Sequence, residues 1–379
     1  MDENLNQLEN RLIDHLDNTD FDYIDKRFSD LKEPTMFVGS GGSFAAAKFI
    51  ASVINEKNGI ISEAKLPDEV RVSRNNQYHN MIIVSNSAVN YGAQKAAEKA
   101  MNDGVKVQTL SGNSNISKDD NIVYGHSLKS ESSFISFDAT LAPMAIALAY
   151  YLEDKQKAID FIRDAFEKIR KNLIKLVITD NYEFIGKDRF PGATAFVESA
   201  MTESGIAVPI LTATYDACHG RTTSMLQQEN RQLIYLLSPE STELDNMLHD
   251  RLFECGIRDR ITDVSSVYSD TILADFYLTL QMIYICAVLA RKKGIDLSSM
   301  TNSEGKRLHI PANSLAIKTW EELHPGVSFW DECRFRELNQ LEVNGEKKAP
   351  GYYGPTGKFA EPDMGDPSRN SIVSNRRMS

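Results

Sequence analysis

The chain has 379 residues, of which 42% are apolar and 25% are charged, and at ~100–200 residues per domain this length predicts about two domains. Its formal net charge of −11 disfavours binding to nucleic acid or to an anionic membrane, so an anionic ligand must be held by local donors. We find no apolar stretch of the ~18 residues that span a bilayer and no signal-peptide features at the start. We therefore expect a soluble, cytoplasmic protein that binds neither nucleic acid nor membrane.

The cysteines lie far apart in sequence and form no CxxC pair. They are Cys218, Cys255, Cys286 and Cys333. This spacing indicates neither a disulfide framework nor a zinc ribbon. We expect reduced, buried thiols.

The first segment, about 1–32, is expected to be helical because leucines recur at a near-helical spacing, and it should pack on the fold or form a dimer contact. Beyond it, short apolar runs alternate with amphipathic segments, which is typical of a parallel sheet covered on both faces. Strands are predicted at 36–39, 81–85, 105–110 and 122–124, helices at 44–55, 91–102 and 139–152, and an extra strand near 63–70.

A charged helical stretch, 154–175, is interpreted as a solvated connector with one apolar stripe. The same plan then recurs, with predicted strands at 182–185, 208–211 and 233–237 and helices at 194–204, 244–255 and 271–291. The fold class is therefore α/β, with two tandem flavodoxin-like αβα units built on parallel sheets. We divide the chain into an N-terminal helical segment (1–32), a first unit (33–153), a connector (154–178), a second unit (179–312) and a Pro/Gly-rich, partly disordered extension (313–379).

A small-residue turn follows the first predicted strand and opens a helix. Its residues Gly41, Gly42 and Ser43 fit neither the dinucleotide pattern GxGxxG nor the Walker pattern. The N–H groups and hydroxyls of such a turn suit a single phosphate with neighbouring sugar hydroxyls. The alternative is a tight turn in which a serine merely caps the helix.

Two further serine-rich turns occupy comparable places. Ser85, Asn86, Ser87 and Asn90 again end an apolar strand and start a helix, and Ser136 precedes the helix that begins near Asp138. The first two turns should emerge at the same carboxyl edge of the sheet and converge on one small anion. Independent helix caps remain the alternative for each.

Together these motifs resemble the sugar isomerase (SIS) family, in particular the tandem SIS halves of glucosamine-6-phosphate synthase and of the fructosamine phosphate deglycases, over about 35–310. The resemblance implies that Ser43, Ser85, Ser87 and Ser136 bind the phosphate and the sugar. Asn90 stands where the synthase has a Thr. No N-terminal Cys nucleophile precedes the first unit, so we expect no glutamine amidotransferase activity.

The resemblance also implies catalytic groups in the second half. His219 follows Glu203 by 16 residues, which is similar to the family's spacing between a catalytic Glu and a His-Gly. Glu203 would move a proton between C1 and C2 of an opened sugar, and His219 would open the ring. In this family the His can enter the neighbouring subunit's site, so a homodimer or higher homo-oligomer is implied.

Lys306 follows the last long helix and corresponds to a Lys that meets the open-chain carbonyl in synthase-like members. Ala200 replaces a Lys that the synthase has three residues before its base, and Arg221 replaces the common Pro after His-Gly. Taken without the resemblance, a lone Glu is more often a solvated surface residue, and a lone His or a surface Lys is more often structural than catalytic. Glu198 is an alternative candidate for the base.

These residues favour an enzyme that acts at C1 and C2 of a phosphorylated sugar, as an isomerase or as a deglycase or deaminase, with no metal or organic cofactor. The alternative is a non-catalytic sensor that binds a sugar phosphate. A nucleotide-dependent enzyme is disfavoured because the turn matches neither the GxGxxG pattern nor the Walker pattern.

Overall fold

The computed structural model describes residues 3–86, 91–114, 116–125, 135, 137–172, 174 and 176–297. The helices are α1 (Glu3–Asp17), α2 (Phe21–Ser29), α3 (Gly42–Asn58), α4 (Pro67–Val72), α5 (Tyr91–Asn102), α6 (Phe137–Leu152), α7 (Lys155–Lys171), α8 (Pro191–Ser204), α9 (Thr214–Asp216), α10 (Thr222–Gln227), α11 (Glu243–Glu254) and α12 (Thr271–Lys293). The strands are β1 (Thr35–Val38), β2 (Ser62–Lys65), β3 (Asn80–Val84), β4 (Lys106–Ser111), β5 (Ile122–Val123), β6 (Asn181–Ile185), β7 (Ile210–Thr212), β8 (Arg231–Leu237) and β9 (Ile261–Ser265). A π-helical turn covers Ala217–Arg221 and a 3₁₀ turn covers Arg258–Arg260.

Two parallel sheets form the centre of the fold. The strand order is β2-β1-β3-β4-β5 in the first sheet and β7-β6-β8-β9 in the second, and every strand pair is parallel. The second order repeats the first four positions of the first sheet. The predicted α/β class with two tandem units is therefore confirmed.

The N-terminal segment forms two helices instead of the single helical stretch that the leucine spacing suggests. Asp20 caps α2 by accepting a hydrogen bond from the backbone N–H of Tyr23, and such a cap starts a new helix. The leucines of α1 are fully buried, and α1 packs against α6 and α7. The segment is thus part of the core of this chain.

One hydrophobic core extends through both halves. Helix α8 of the second half packs against α3 of the first, and α12 packs against α8, α3, α6 and α7. By length and composition α12 could cross a membrane, which corrects the expectation that no stretch was long enough. However, 83% of its most apolar window is buried inside the fold, as in a core helix of a soluble protein.

Three local predictions differ from the structure. The extra strand expected near 63–70 is the short β2 followed by α4, because Pro67 begins a helix at its first position. Helix α7 is more than a solvated connector, since its apolar stripe is buried against α1, α6 and α12. Cys286 is buried as expected, but Cys218 and Cys255 are exposed.

Some elements of the second half were not predicted from the sequence. These are β9 and the helical turns between β7 and β8. Cys333 and the predicted C-terminal extension lie outside the described residues. The domain boundaries proposed from the sequence stay predictions.

A buried carboxylate fixes the start of α8. Asp275, on α12, accepts hydrogen bonds from the backbone N–H groups of Gly192 and Ala193 at 2.9 and 2.8 Å. A Cβ at Gly192 would lie 2.9 Å from Asp275 Oδ2, so glycine permits the close approach. Burial raises the pKa of Asp275 to about 7, although the two N–H groups and the charge of Lys48 act to lower it.

We predict that Asp275→Asn removes a pH dependence of stability. Because the folded-state pKa is raised, the native state binds more protons than the unfolded state between pH about 4 and 7, so this group lowers stability as pH rises through that window. The difference in unfolding free energy between wild type and variant should change by up to about 4 kcal/mol across it. Urea denaturation at pH 4.5, 6 and 7.5 measures this difference.

The exposed Asp259→Asn serves as the matched control, for which no such change is expected. A difference between wild type and Asp275→Asn that stays constant over this pH range would contradict the prediction.

Candidate functional site

The turn between β1 and α3 depends on glycine. A Cβ at Gly39 would lie 2.4 Å from the carbonyl oxygen of Ser43, so the turn closes too tightly for any side chain there. Gly41 has φ +56°, a conformation that side chains disfavour. The sequence therefore folds locally into a narrow loop whose backbone can approach a ligand closely.

Helix α3 starts at this loop without a side-chain cap. Its N-cap residue is Gly41, and no side chain of the described residues accepts from the first turn. The alternative that a serine of this loop caps the helix is therefore not what the structure shows. The N–H groups of Ser43 and Phe44 donate to the backbone carbonyls of Ser40 and Gly41 within the loop. What this N-terminus offers to an anion is therefore chiefly the positive end of the helix dipole.

The loop forms one wall of a pocket of about 200 Å³, which is smaller than the ~300–1,000 Å³ usual for ligand sites. The pocket lies between the loop, the start of α6 and the C-terminal part of α8. Its lining residues are Ser40, Gly41, Gly42, Ser43, Ile135, Ala139, Thr140, Phe196, Ser199, Ala200 and Glu203. The structure thus brings the predicted Gly41, Gly42 and Ser43 together with the predicted Glu203, across the junction of the two units.

Glu203 approaches the glycine loop directly. A Cβ placed on Gly41 would lie 2.6 Å from Glu203 Oε1, and Ser199 Oγ donates a hydrogen bond to the same oxygen at 2.7 Å. The residue is exposed because it faces the open pocket, yet many protein atoms surround its carboxyl group. This burial raises the pKa of Glu203, the Ser199 hydrogen bond lowers it, and the negative charge of Glu198 raises it again.

The second predicted turn lies beside the first, since β3 is the neighbour of β1. Ser85 is buried and its N–H donates to the carbonyl of Leu110. Asn86 accepts from Tyr124 Oη through Oδ1 at 3.1 Å and from Ser111 Oγ through its carbonyl at 2.8 Å. Neither Ser85 nor Asn86 lines the pocket, and Asn86 is instead held by Tyr124 and Ser111.

His219 lies apart from this pocket. It is exposed in the π-helical turn, where Gly220 has φ +153°, and its ring contacts Tyr215 with ring centres 5.9 Å apart. Arg221 Nη1 donates to Thr212 Oγ1 at 3.4 Å. Within one chain, therefore, the described pocket contains the carboxylate but not the imidazole.

The remaining predicted site residues, Ser87, Asn90, Ser136 and Lys306, lie outside the described residues. Ala200 is buried in the pocket wall, so the wall has a methyl group at the place where the synthase resemblance would put an amine. Glu198, the alternative base, is exposed and does not line the pocket.

Two polar residues of the pocket were missed from the sequence. Ser199 precedes Glu203 by one helical turn, and the i, i+4 spacing could have placed it on the same face. Thr140 lies in the first turn of α6, where a Cβ at Gly42 would come within 2.0 Å of its Oγ1. No local pattern marks Thr140, because its role depends on contact with a distant loop.

No protein-family profile and no curated protein sequence matches the chain. Solved structures do match. Tagatose-6-phosphate ketose/aldose isomerase from Escherichia coli is 14% identical, with TM-score 0.65 over 78% of this chain and 93% of that one.

Two other structures are similar over nearly their whole length. The C-terminal domain of glucosamine-fructose-6-phosphate aminotransferase from Francisella tularensis is 12% identical, with TM-score 0.61 over 78% of this chain and 96% of that one. Glucosamine-6-phosphate deaminase from Thermotoga maritima is 15% identical, with TM-score 0.60 over 79% of this chain and 97% of that one. At these identities the similarity concerns the fold, and the chain has the tandem sugar-isomerase (SIS) fold that its sequence motifs resemble.

Proposed function

We propose that this chain is a sugar-phosphate isomerase, or a deglycase or deaminase, acting at C1 and C2 of a phosphorylated sugar in the cytoplasm. The observation that carries the proposal is the position of the Glu203 carboxyl group at the uncapped glycine loop, inside a pocket of about 200 Å³. The structures with the same fold include, by name, a ketose/aldose isomerase and a deaminase of sugar phosphates. Both reactions need a proton moved between adjacent carbons.

The glycine loop would hold the phosphate. Ser40, Gly41, Gly42 and Ser43 line one space, where the two serine hydroxyls and the positive end of the α3 dipole would compensate for the overall negative charge of the chain. The serine turn after β3 would contribute through residues that include Ser87. A phosphate held at the glycine loop would place the sugar toward α8, which lines the same pocket.

Glu203 would act as the base. Its carboxylate takes the proton from C2 of the open-chain aldose and returns it to C1, while a proton moves from the C2 oxygen to the C1 oxygen, so the product is the ketose. With an amino group at C2, the same shift gives an imine that water hydrolyses, with release of ammonia. A raised carboxyl pKa suits a group that must both accept and return a proton.

His219 would open the sugar ring by moving a proton between the ring oxygen and the anomeric hydroxyl. Its exposed position outside the pocket of its own chain supports a contribution to the site of a second copy. Lys306 would meet the open-chain carbonyl. The proposal therefore includes a homodimer in which each site draws on both chains.

We predict that Glu203→Gln lowers the rate of C2 proton exchange by at least ~10²-fold, because the amide cannot accept the proton. Binding of the sugar phosphate should persist, since the donors of the glycine loop are unchanged. Deuterium incorporation at C2 in heavy water measures exchange, and thermal shift with a panel of hexose 6-phosphates measures binding.

Glu198→Gln is the matched control for Glu203→Gln and should retain exchange. Equal loss of binding and exchange in Glu203→Gln would contradict the role of the base. Binding without exchange in the wild type would instead favour a sensor.

We predict opposite shifts of the acid limb of the pH profile in two variants. Ser199→Ala removes a hydrogen bond that stabilises the carboxylate and should raise the Glu203 pKa, whereas Glu198→Gln removes a repelling charge and should lower it. The dependence of kcat/KM on pH reports the pKa of the free enzyme. Shifts of both variants in the same direction would exclude Glu203 as the titrating group.

We predict that two inactive variants restore activity when mixed. Glu203→Gln and His219→Asn should each be inactive alone, but a mixed dimer contains one site with both groups intact. Random exchange of subunits gives about a quarter of wild-type activity if His219 acts on the partner's site. Refolding the variants together and separately is the comparison, and a mixture as inactive as its components would place His219 in its own chain's chemistry or in none.

A further inference from the structure

The N-terminal helix ends in a buried histidine that joins two separate parts of the first unit. His15, at the end of α1, is only 4% exposed. Its Nδ1 lies 2.7 Å from the carbonyl oxygen of Gly125, which follows β5. Its Nε2 lies 3.1 Å from both carboxylate oxygens of Asp138, in the first turn of α6.

This geometry requires a charged ring when Asp138 is ionised. The Gly125 carbonyl and the carboxylate can only accept hydrogen bonds, so both ring nitrogens must carry a proton. Burial acts to lower the pKa of His15, but the charge and hydrogen bond of Asp138, the Gly125 carbonyl and the charge of Asp14 outweigh it and raise the pKa overall. His15 and Asp138 therefore form a buried imidazolium–carboxylate pair.

The His15 contacts continue to the candidate pocket. Asp138 is followed directly by Ala139 and Thr140, which line the pocket, and Thr140 Oγ1 leaves no room for a side chain at Gly42. A small movement of the first turn of α6 would therefore change the wall that faces the glycine loop.

A second route leads from the same histidine to the turn after β3. The His15 ring meets the Tyr124 ring edge-on, with centres 5.9 Å apart. Tyr124 Oη donates in turn to Asn86 Oδ1 at 3.1 Å. Burial raises the pKa of Tyr124, and the charge of Asp138 raises it further, so Tyr124 stays a neutral donor.

We infer that His15 is a positioning residue of the pocket, and that its imidazolium holds the first turn of α6 against the glycine loop. This inference rests on the proposed function for its effect on ligand affinity. The groups that face His15 are Asp138 from α6, Tyr124 from the end of β5 and Asp14 from its own helix. Helix α7 also packs on α1, but its Arg170 pairs with Glu9.

The direction of the pH effect follows from the raised pKa. The pair stabilises the fold fully below the unfolded-state value near 6.5 and loses that contribution as pH rises through the higher folded-state value. Ligand affinity should decline over the same range, because the wall of the pocket is then held less firmly.

The first test needs no ligand. In methyl-labelled protein, the Thr140 signal should shift with pH at the same midpoint as the His15 ring signals. The midpoint should fall in Asp138→Asn, which removes the counter-charge, and the shift should vanish in His15→Gln. His79→Gln, at an exposed histidine, is the matched control. If the chemical shift of the Thr140 methyl group does not change over the pH range in which His15 titrates, the inference is wrong, whichever ligand the protein binds.

The second test uses fructose 6-phosphate as the probe. The ratio of the dissociation constant of His15→Gln to that of wild type is unaffected by the ligand's own titration. This ratio should be about tenfold while His15 is protonated, and it should fall toward one as the pH rises and His15 loses its proton. A ratio of one at every pH would overturn the effect on affinity. If wild type binds no hexose phosphate at any pH, the proposed function fails, while the Thr140 titration still decides the role of His15. Should His15→Gln not fold, Asp138→Asn and wild type complete the first test.

Discussion

The backbone of the β1–α3 turn passes against α8 and α6 because Gly41 and Gly42 have no side chains. A Cβ at either position would collide with an oxygen of Glu203 or of Thr140. Everything proposed for the site depends on this contact, since it brings an uncapped helix N-terminus from the first unit to a carboxylate from the second. The shared core beneath it, in which α3 packs against α8, fixes the distance between the two.

Much of the fold was predictable because the central strands β1, β3 and β8 are buried and contain continuous apolar runs. Strand β9, Ile261–Ser265, contains only two apolar residues, Ile261 and Val264, and lies at an edge, so no such run marked it. Helix α7 was predicted to be a solvated connector because most of its residues are polar or charged, although its apolar stripe is buried. Periodicity indicates which face is apolar, but not what covers it.

The candidate site was predictable only in part, for a related reason. The turn of Gly41 and Gly42 and the motif at Glu203 are local patterns, and both line the pocket. The orientation of Asn86 depends on Tyr124, which is 38 residues away, and the involvement of His15 depends on Asp138, which is 123 residues away. Contacts at such separations leave no trace in a single sequence.

The second unit uses the corresponding edge of its sheet differently. There the buried carboxylate of Asp245 pairs with Arg189 at 2.7 Å and accepts from the hydroxyls of Thr214 and Thr242. A carboxylate of the chain thus accepts from donors that follow β6, β7 and β8, whereas the turn after β1 lines a pocket. The tandem units thus share a topology, but their corresponding turns differ in what lies against them.

The burial of α12 also has a consequence for how the chain folds during synthesis. This apolar helix completes the packing of α3, α6 and α7 as well as that of α8, yet it is the last described helix to be translated. The first half therefore leaves the ribosome with part of its core uncovered, and its apolar surface stays open to aggregation or to chaperones until residue 293 has emerged. Folding of the two halves is therefore coupled through this late segment as well as through the contact between α3 and α8.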